Sequence, residues 1–175
     1  SSIIPACDMK HPGRASPRVV FDQLRSESAS RMVASPALLE NLGHYCLKNA
    51  LRLPEMLCVS TGGGPVSPDL PGMLRQIAPQ ATVRMVYGST EAEPIACIDD
   101  RDVSVTSAKK MRAGGGLLVG NPVAGCAVRV IRSQPGASLG PFEKDSFSSL
   151  ALPVGEIGEI VVAGKHVLAG YADAS

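Results

Sequence analysis

The sequence predicts an α/β protein, with a parallel-sheet half over residues 1–105 and a mostly β half over residues 106–175. Three observations carry this expectation. Short apolar runs at 31–34, 56–60 and 82–87 have strand length and stop near Gly, Ser or Pro, which suits buried strands of a parallel sheet. Helix-like stretches follow three Ser-Pro pairs, so strand and helix alternate at the separation a βαβ unit needs. After about residue 100 Val, Ile and Gly dominate, and turn signals replace helix caps.

Taken in order, Ser16-Pro17, Ser35-Pro36 and Ser67-Pro68 predict helices at 17–28, 36–50 and 68–77. A Ser can accept from the orphan N–H groups of a helix start, and Pro in the first turn has no N–H to lose. In the second helix Leu38, Leu39, Leu42, Tyr45, Cys46 and Asn49 fall near helical spacing and give one face. In the later half, 127–131 and 159–162 read as strands. The stretch 133–152, rich in Ser, Pro and Gly, reads as a long hairpin loop or insertion. The doublet Gly155-Glu156-Ile157-Gly158-Glu159-Ile160 is a turn feeding a strand.

Composition narrows the function classes. The 175 residues carry 17 Lys+Arg against 16 Asp+Glu, a net charge of +1, and 3% aromatic residues. That leaves neither a basic footprint for nucleic acid nor stacking platforms for bases. The longest uncharged stretch, 113–128, holds five glycines and a proline, so no transmembrane segment is expected. No secretory leader is expected from the opening residues, no C-x-x-C pair occurs in the 175 residues, and the five cysteines are scattered. Small buried thiols in a cytoplasmic protein are the expectation. His11, His44 and His166 have no metal-ligand spacing and read as surface or cap residues.

Two loops stand out chemically. Thr61-Gly62-Gly63-Gly64-Pro65 follows one expected strand, and Tyr87-Gly88-Ser89-Thr90-Glu91 follows another. If the strands are parallel neighbours, both loops emerge at the C-terminal edge of the sheet, where open α/β sheets place ligands. Glycines let a flat ligand approach the backbone. Tyr87 offers a ring, Thr90 a hydroxyl for phosphate, and Glu91 a hard carboxylate for Mg²⁺. Spacing alone leaves nucleotide binding beside the plainer alternative of a Gly-rich turn next to a half-buried ring. Gly164-Lys165-His166 lacks the Ser or Thr of a phosphate loop. Ser107-Ala108-Lys109-Lys110 matches S-x-x-K without its companion motifs. Gly114-Gly115-Gly116 reads as a flexible turn.

An ordered series of motifs goes further. T-G-G-G-P-V-S at 61–67, Y-G-S-T-E at 87–91, V-G-N-P-V-A-G at 119–125 and G-E-I-G-E-I-V-V-A-G at 155–164, followed by Gly170-Tyr171, resemble the adenylate-forming (AMP-binding) superfamily. Met9-Lys10-His11-Pro12-Gly13-Arg14 and residues 114–132 are similar to its long-chain acyl-activating branch, which includes ligases acting on β-hydroxy acids for olefin synthesis. The resemblance implies that Gly62, Gly63, Gly64, Pro65, Tyr87, Gly88, Ser89 and Thr90 bind nucleotide. Tyr87 would stack on adenine, Thr90 would bind phosphate and Glu91 would hold Mg²⁺, so that Thr90 and Glu91 are the catalytic pair. Gly64 stands where many relatives have Ala.

The implied cofactors are ATP and Mg²⁺, with coenzyme A as second substrate and a carboxylic acid, a fatty acid by resemblance, as the first. The family's upstream phosphate loop and downstream catalytic Lys have no counterpart in 1–175. The resemblance therefore implies the central slice of a larger enzyme, part of an α/β subdomain plus part of a β-barrel-like subdomain, inactive on its own. A non-catalytic nucleotide-binding or assembly module on the same scaffold is the alternative.

Overall fold

A computed structural model describes residues 2–8, 10–133, 135–136 and 148–171. Met9 and most of the expected loop at 133–152 lie outside the described residues. The first helix, α1 (Pro17–Ser26), starts with Pro in its first turn and buries Val20. Strand β1 (Arg31–Ala34) leads into α2 (Pro36–Lys48), where the Ser35 hydroxyl accepts from the Leu38 N–H at 3.4 Å. Leu38, Leu39, Leu42 and Cys46 form the buried stripe of α2. This helix stops two residues short of expectation, because Asn49 Nδ2 donates to the Tyr45 carbonyl at 2.8 Å and Ala50 takes a left-handed backbone, φ +52°.

Strand β2 (Cys58–Thr61) is followed by α3 (Leu70–Ile77). The third Ser-Pro pair opens a turn rather than the helix. Ser67 Oγ accepts from the Asp69 N–H at 3.3 Å, and the helix begins after Asp69. Strand β3 (Thr82–Ser89) lies beside β2, and β1, β2 and β3 run parallel with Arg31 opposite Cys58 and Cys58 opposite Thr82. Val20, Leu39, Leu42, Met56, Leu70, Leu74, Ile77 and Val83 are almost fully buried in one core against α1, α2 and α3. Burial of this size is what sustains a three-strand parallel unit.

The sheet then departs from expectation. Strand β4 (Ala92–Asp99) returns antiparallel to β3, and the short β5 (Asn121–Pro122) pairs with β4, giving the order β1-β2-β3-β4-β5. β4 is not evident in the sequence because Glu93 and Pro94 interrupt its apolar pattern. Pro94 falls where the β3–β4 register shifts between Tyr87 and Ser89, away from paired positions, which is where a strand tolerates proline. A further helix, α4 (Val105–Arg112), occupies residues expected to be turn-rich. Ser104 caps it by accepting from the Ser107 N–H at 3.1 Å, and Lys109, Lys110 and Arg112 suit the negative end of its dipole. The expected division at 105/106 falls at the first residue of this helix.

Strands β6 (Ala127–Ile131) and β7 (Glu159–Ala163) form a separate antiparallel pair. Ala92, Ile95 and Ala96 of β4 pack with Val128, Val162 and Val167, joining this pair to the hairpin. Of the cysteines only Cys46 is buried, while Cys7, Cys58, Cys97 and Cys126 are half-buried, correcting the expectation of uniformly buried thiols. Cys46 alone lies on the inward stripe of a helix. Among the described residues no helix is long and apolar enough to cross a membrane.

Candidate functional site

Residue pairing between β2 and β3 places the two predicted loops together. Thr61 pairs with Met85 at the end of β2, so the glycines that follow run past Val86 and Tyr87. A Cβ on Gly62 would lie 2.6 Å from the Val86 carbonyl oxygen. The close approach of two backbones therefore requires glycine there. Gly63 has φ +73°, and a Cβ on Gly63 or Gly64 would meet nothing within 4 Å. Gly63, Gly64 and Pro65 are exposed, so this backbone faces open space.

The second predicted loop is shorter than expected. Tyr87, Gly88 and Ser89 belong to β3, and only Thr90 and Glu91 form the turn into β4. Antiparallel pairing with β4 extends the strand past Val86, with Tyr87 opposite Ala96 and Ser89 opposite Ala92. Tyr87 packs one side against the Ala92, Ile95 and Ala96 cluster and lines a cleft of about 640 Å³. Gly63, Gly64, Pro65 and Gly88 line the same cleft. Gly62 is not part of its lining, and Ser89, Thr90 and Glu91 sit on the adjoining hairpin end, also outside it.

Leu117, Leu118 and Val119, together with Met85 of β3 and Met111 of α4, also line the cleft. These were missed in the sequence reading. The available signal was the apolar run Leu117-Leu118-Val119 after three glycines, and its meaning depended on α4, which was not foreseen. Ser107 of the S-x-x-K match accepts a hydrogen bond from Ser104 Oγ at 2.9 Å and belongs to the helix cap.

Glu91 is exposed and tied to the end of the described chain. Its carboxylate accepts from the Tyr171 hydroxyl, its carbonyl accepts from the Leu168 N–H at 2.7 Å, and Ala92 bridges to Val167. Bonds from Tyr171 first, and from Ser89 second, hold the Glu91 carboxyl below the usual carboxylate range, while the same bond raises the Tyr171 hydroxyl above its ordinary value. Glu91 is thus ionised at neutral pH.

Among the described residues no three His, Cys, Asp or Glu side chains gather into a metal cage. The exposed Glu91 carboxylate at the hairpin turn could take Mg²⁺ arriving with phosphate, because Mg²⁺ keeps several waters and takes one or two carboxylates plus phosphate oxygens. The open space over Gly63 and Gly64 and the ring of Tyr87 fit a flat nucleotide base.

Parallel βαβ units thus carry a glycine loop beside the β3–β4 hairpin that holds Tyr87 and Glu91. The chain belongs to the AMP-binding enzyme family, which it matches over residues 7–172. It is 33% identical over 172 residues to an olefin beta-lactone synthetase of Stenotrophomonas maltophilia (strain K279a), covering 98% of this chain and 29% of that protein. The chain thus spans under a third of that relative's length. Its fold matches a long-chain-fatty-acid-CoA ligase from Archaeoglobus fulgidus, with TM-score 0.63 and 21% identity over 90% of this chain and 29% of the other. It also matches a nonribosomal peptide synthetase, with TM-score 0.69 and 23% identity over 89% of this chain and 15% of the other.

Proposed function

We propose that this chain is the central part of an ATP-dependent ligase that activates a carboxylic acid with a long apolar chain as its adenylate. The observation that carries the proposal is the cleft, which is apolar along Met85, Leu117, Leu118 and Val119 and bounded by Gly63, Gly64 and Tyr87 at the sheet edge. In the reaction a carboxylate oxygen attacks the α-phosphorus of ATP, the bond to the pyrophosphate oxygen breaks, and acyl-adenylate and pyrophosphate result. An acceptor then displaces AMP.

Residues of this chain have separable tasks in that scheme. The open backbone at Gly63 and Gly64 admits the nucleotide, and Gly62 keeps β2 close to β3. Tyr87 stacks on the base, with its far side already braced by β4. Thr90, at the hairpin turn, donates its hydroxyl to a phosphate oxygen, and Glu91 holds Mg²⁺. When bound, Mg²⁺ offsets charge on the phosphate oxygens, a contribution of several kcal/mol. Tyr171 must release or share the Glu91 carboxylate for this, since its hydroxyl donates to that carboxylate.

The acceptor has two candidates. Coenzyme A thiol is one. The other is a β-hydroxyl of the acid itself, closing a ring with loss of AMP, and it is favoured by the 33% identity to a protein named olefin beta-lactone synthetase.

The test is acid-dependent exchange of pyrophosphate into ATP by the full-length protein that carries this chain, across straight-chain and β-hydroxy acids. Exchange that requires an apolar acid supports acid activation, and greater exchange with β-hydroxy acids supports the second acceptor. Nucleotide binding without exchange for any acid would favour a non-catalytic module and overturn the proposal.

A further inference from the structure

Residues 167–171 fold back onto the tip of the β3–β4 hairpin. Ala92 bridges Val167 antiparallel, and the Leu168 N–H donates to the Glu91 carbonyl at 2.7 Å. Three residues on, the Tyr171 hydroxyl donates to the Glu91 carboxylate. Backbone and side chain of Glu91 are thus gripped by one short segment. Building on the function above, in which Glu91 holds Mg²⁺, we propose that Tyr171 is a positioning residue that orients the Glu91 carboxylate for the metal and stays bonded to it when the metal binds.

The segment is anchored independently of the tyrosine. Val167 packs with the buried Ala92, Ile95 and Ala96, and its N–H donates to the Gly164 carbonyl at 3.2 Å. A Cβ on Gly164 would stand 2.8 Å from the Gly125 carbonyl oxygen, so the turn into the segment is pressed against the loop before β6. Tyr87 packs on the same cluster as Val167. One apolar cluster therefore braces both the ring assigned to the base and the segment that grips Glu91.

Glu91 has little else to fix it. It is exposed and shares a two-residue turn with Thr90. Glu is among the side chains with the most rotamer freedom to lose on ordering, and a donor already in place reduces that loss when a metal binds. Sharing is feasible because an ionised carboxylate has two oxygens and about four lone-pair sites. Tyr171 bonds to Oε1 and the Ser89 side chain is a second donor, which leaves sites for a cation. A neutral phenol also orients the carboxylate without cancelling the charge Mg²⁺ needs, as Lys or Arg would. Tyr171 is 69% exposed, so its ring supplies little packing and the hydroxyl is what the position uses.

The experiment titrates Mg²⁺ by calorimetry into the full-length protein saturated with a non-hydrolysable ATP analogue, for wild type, Tyr171→Phe and Glu91→Gln. Tyr171→Phe keeps the ring and removes the donor. Its Mg²⁺ affinity should fall about tenfold, the scale of ordering one Glu side chain, and that of Glu91→Gln should fall further. In acid-dependent pyrophosphate exchange, Tyr171→Phe should need about tenfold more Mg²⁺ for half-maximal rate, with the rate at saturating Mg²⁺ within about twofold of wild type. Without metal or nucleotide, amide hydrogen exchange at Leu168 should be faster in Tyr171→Phe while Tm stays near wild type.

Unchanged Mg²⁺ affinity in Tyr171→Phe, with Glu91→Gln impaired, would overturn the positioning role and leave Glu91 as the metal's ligand. Tighter Mg²⁺ binding in Tyr171→Phe would mean that the hydroxyl competes with the metal, and would also overturn it. A fall in Tm and in rate at every Mg²⁺ concentration, without a shift in affinity, would assign Tyr171 a packing role instead. Unchanged affinity in Glu91→Gln would overturn the metal assignment, and the positioning role with it. Absence of exchange with every acid would overturn acid activation alone, because the Mg²⁺ titration reads Tyr171 without turnover.

Discussion

Gly62 offers the sharpest structural perturbation. An added Cβ would stand 2.6 Å from the Val86 carbonyl oxygen, and 3.4 Å from both the carbonyl carbon and the Val86 Cβ. Ordinary contact begins near 3.4 Å, so the clash is short by about 0.8 Å. The obstructing atom is backbone oxygen in a paired strand and cannot rotate aside, so β2 and β3 must separate at the site. Overpacking of this kind costs about 1–3 kcal/mol, or roughly 2–12 °C in Tm for a chain of this length.

Gly64→Ala is the matched control. Its added Cβ meets nothing within 4 Å, and its φ is not left-handed. Its stability should stay within about 0.5 kcal/mol of wild type. Because a displacement near 1 Å can cost about 100-fold in rate, Gly62→Ala should also depress pyrophosphate exchange far more than Gly64→Ala. Thermal unfolding and exchange, measured on both variants, check this. Equal Tm values for the two would refute the claim that Gly62 is required by the β2–β3 approach.

Two further perturbations follow from burial. Asp100 Oδ1 accepts from the buried Val83 N–H at 2.9 Å. Asp100→Ala strands that donor, so urea unfolding should show a loss of about 1–3 kcal/mol, and Asp100→Asn, which keeps an acceptor, should lose less. Burial pushes the Cys46 thiol up to about 11, so it should be the slowest cysteine to react with a thiol reagent at pH 8. Because the folded value is raised, the Cys46 contribution to stability is intact below the ordinary thiol range and is lost as pH rises toward about 11. Comparing alkaline unfolding midpoints of wild type and Cys46→Ala checks the sign.

What was legible in the sequence was local. Ser35-Pro36 and the stripe Leu38, Leu39, Leu42, Cys46 identify α2 because cap and periodicity agree, and the parallel strands follow from apolar runs of the right length. Ser67-Pro68 misplaced a helix start because a Ser hydroxyl caps a turn as readily as a helix. β4 was hidden by Pro94, whose tolerance depends on a register shift contributed by the partner strand. The glycine loop, Tyr87 and Glu91 were visible as motifs. The wall of the cleft and the Tyr171–Glu91 bond were not, since one draws on Met111 of the unexpected helix α4 and the other joins residues 80 apart in sequence.

Glu91→Gln in the full-length protein tests the central claim most directly. The substitution keeps size and removes the charge that a reluctantly dehydrating cation needs. Glu91 is exposed on a hairpin turn, so thermal unfolding should be nearly unchanged. With Mg²⁺ held by Glu91, acid-dependent ATP–pyrophosphate exchange should fall about 100-fold or more, while transfer from presupplied acyl-adenylate should fall much less. Exchange near the wild-type rate would contradict the account and place the metal elsewhere.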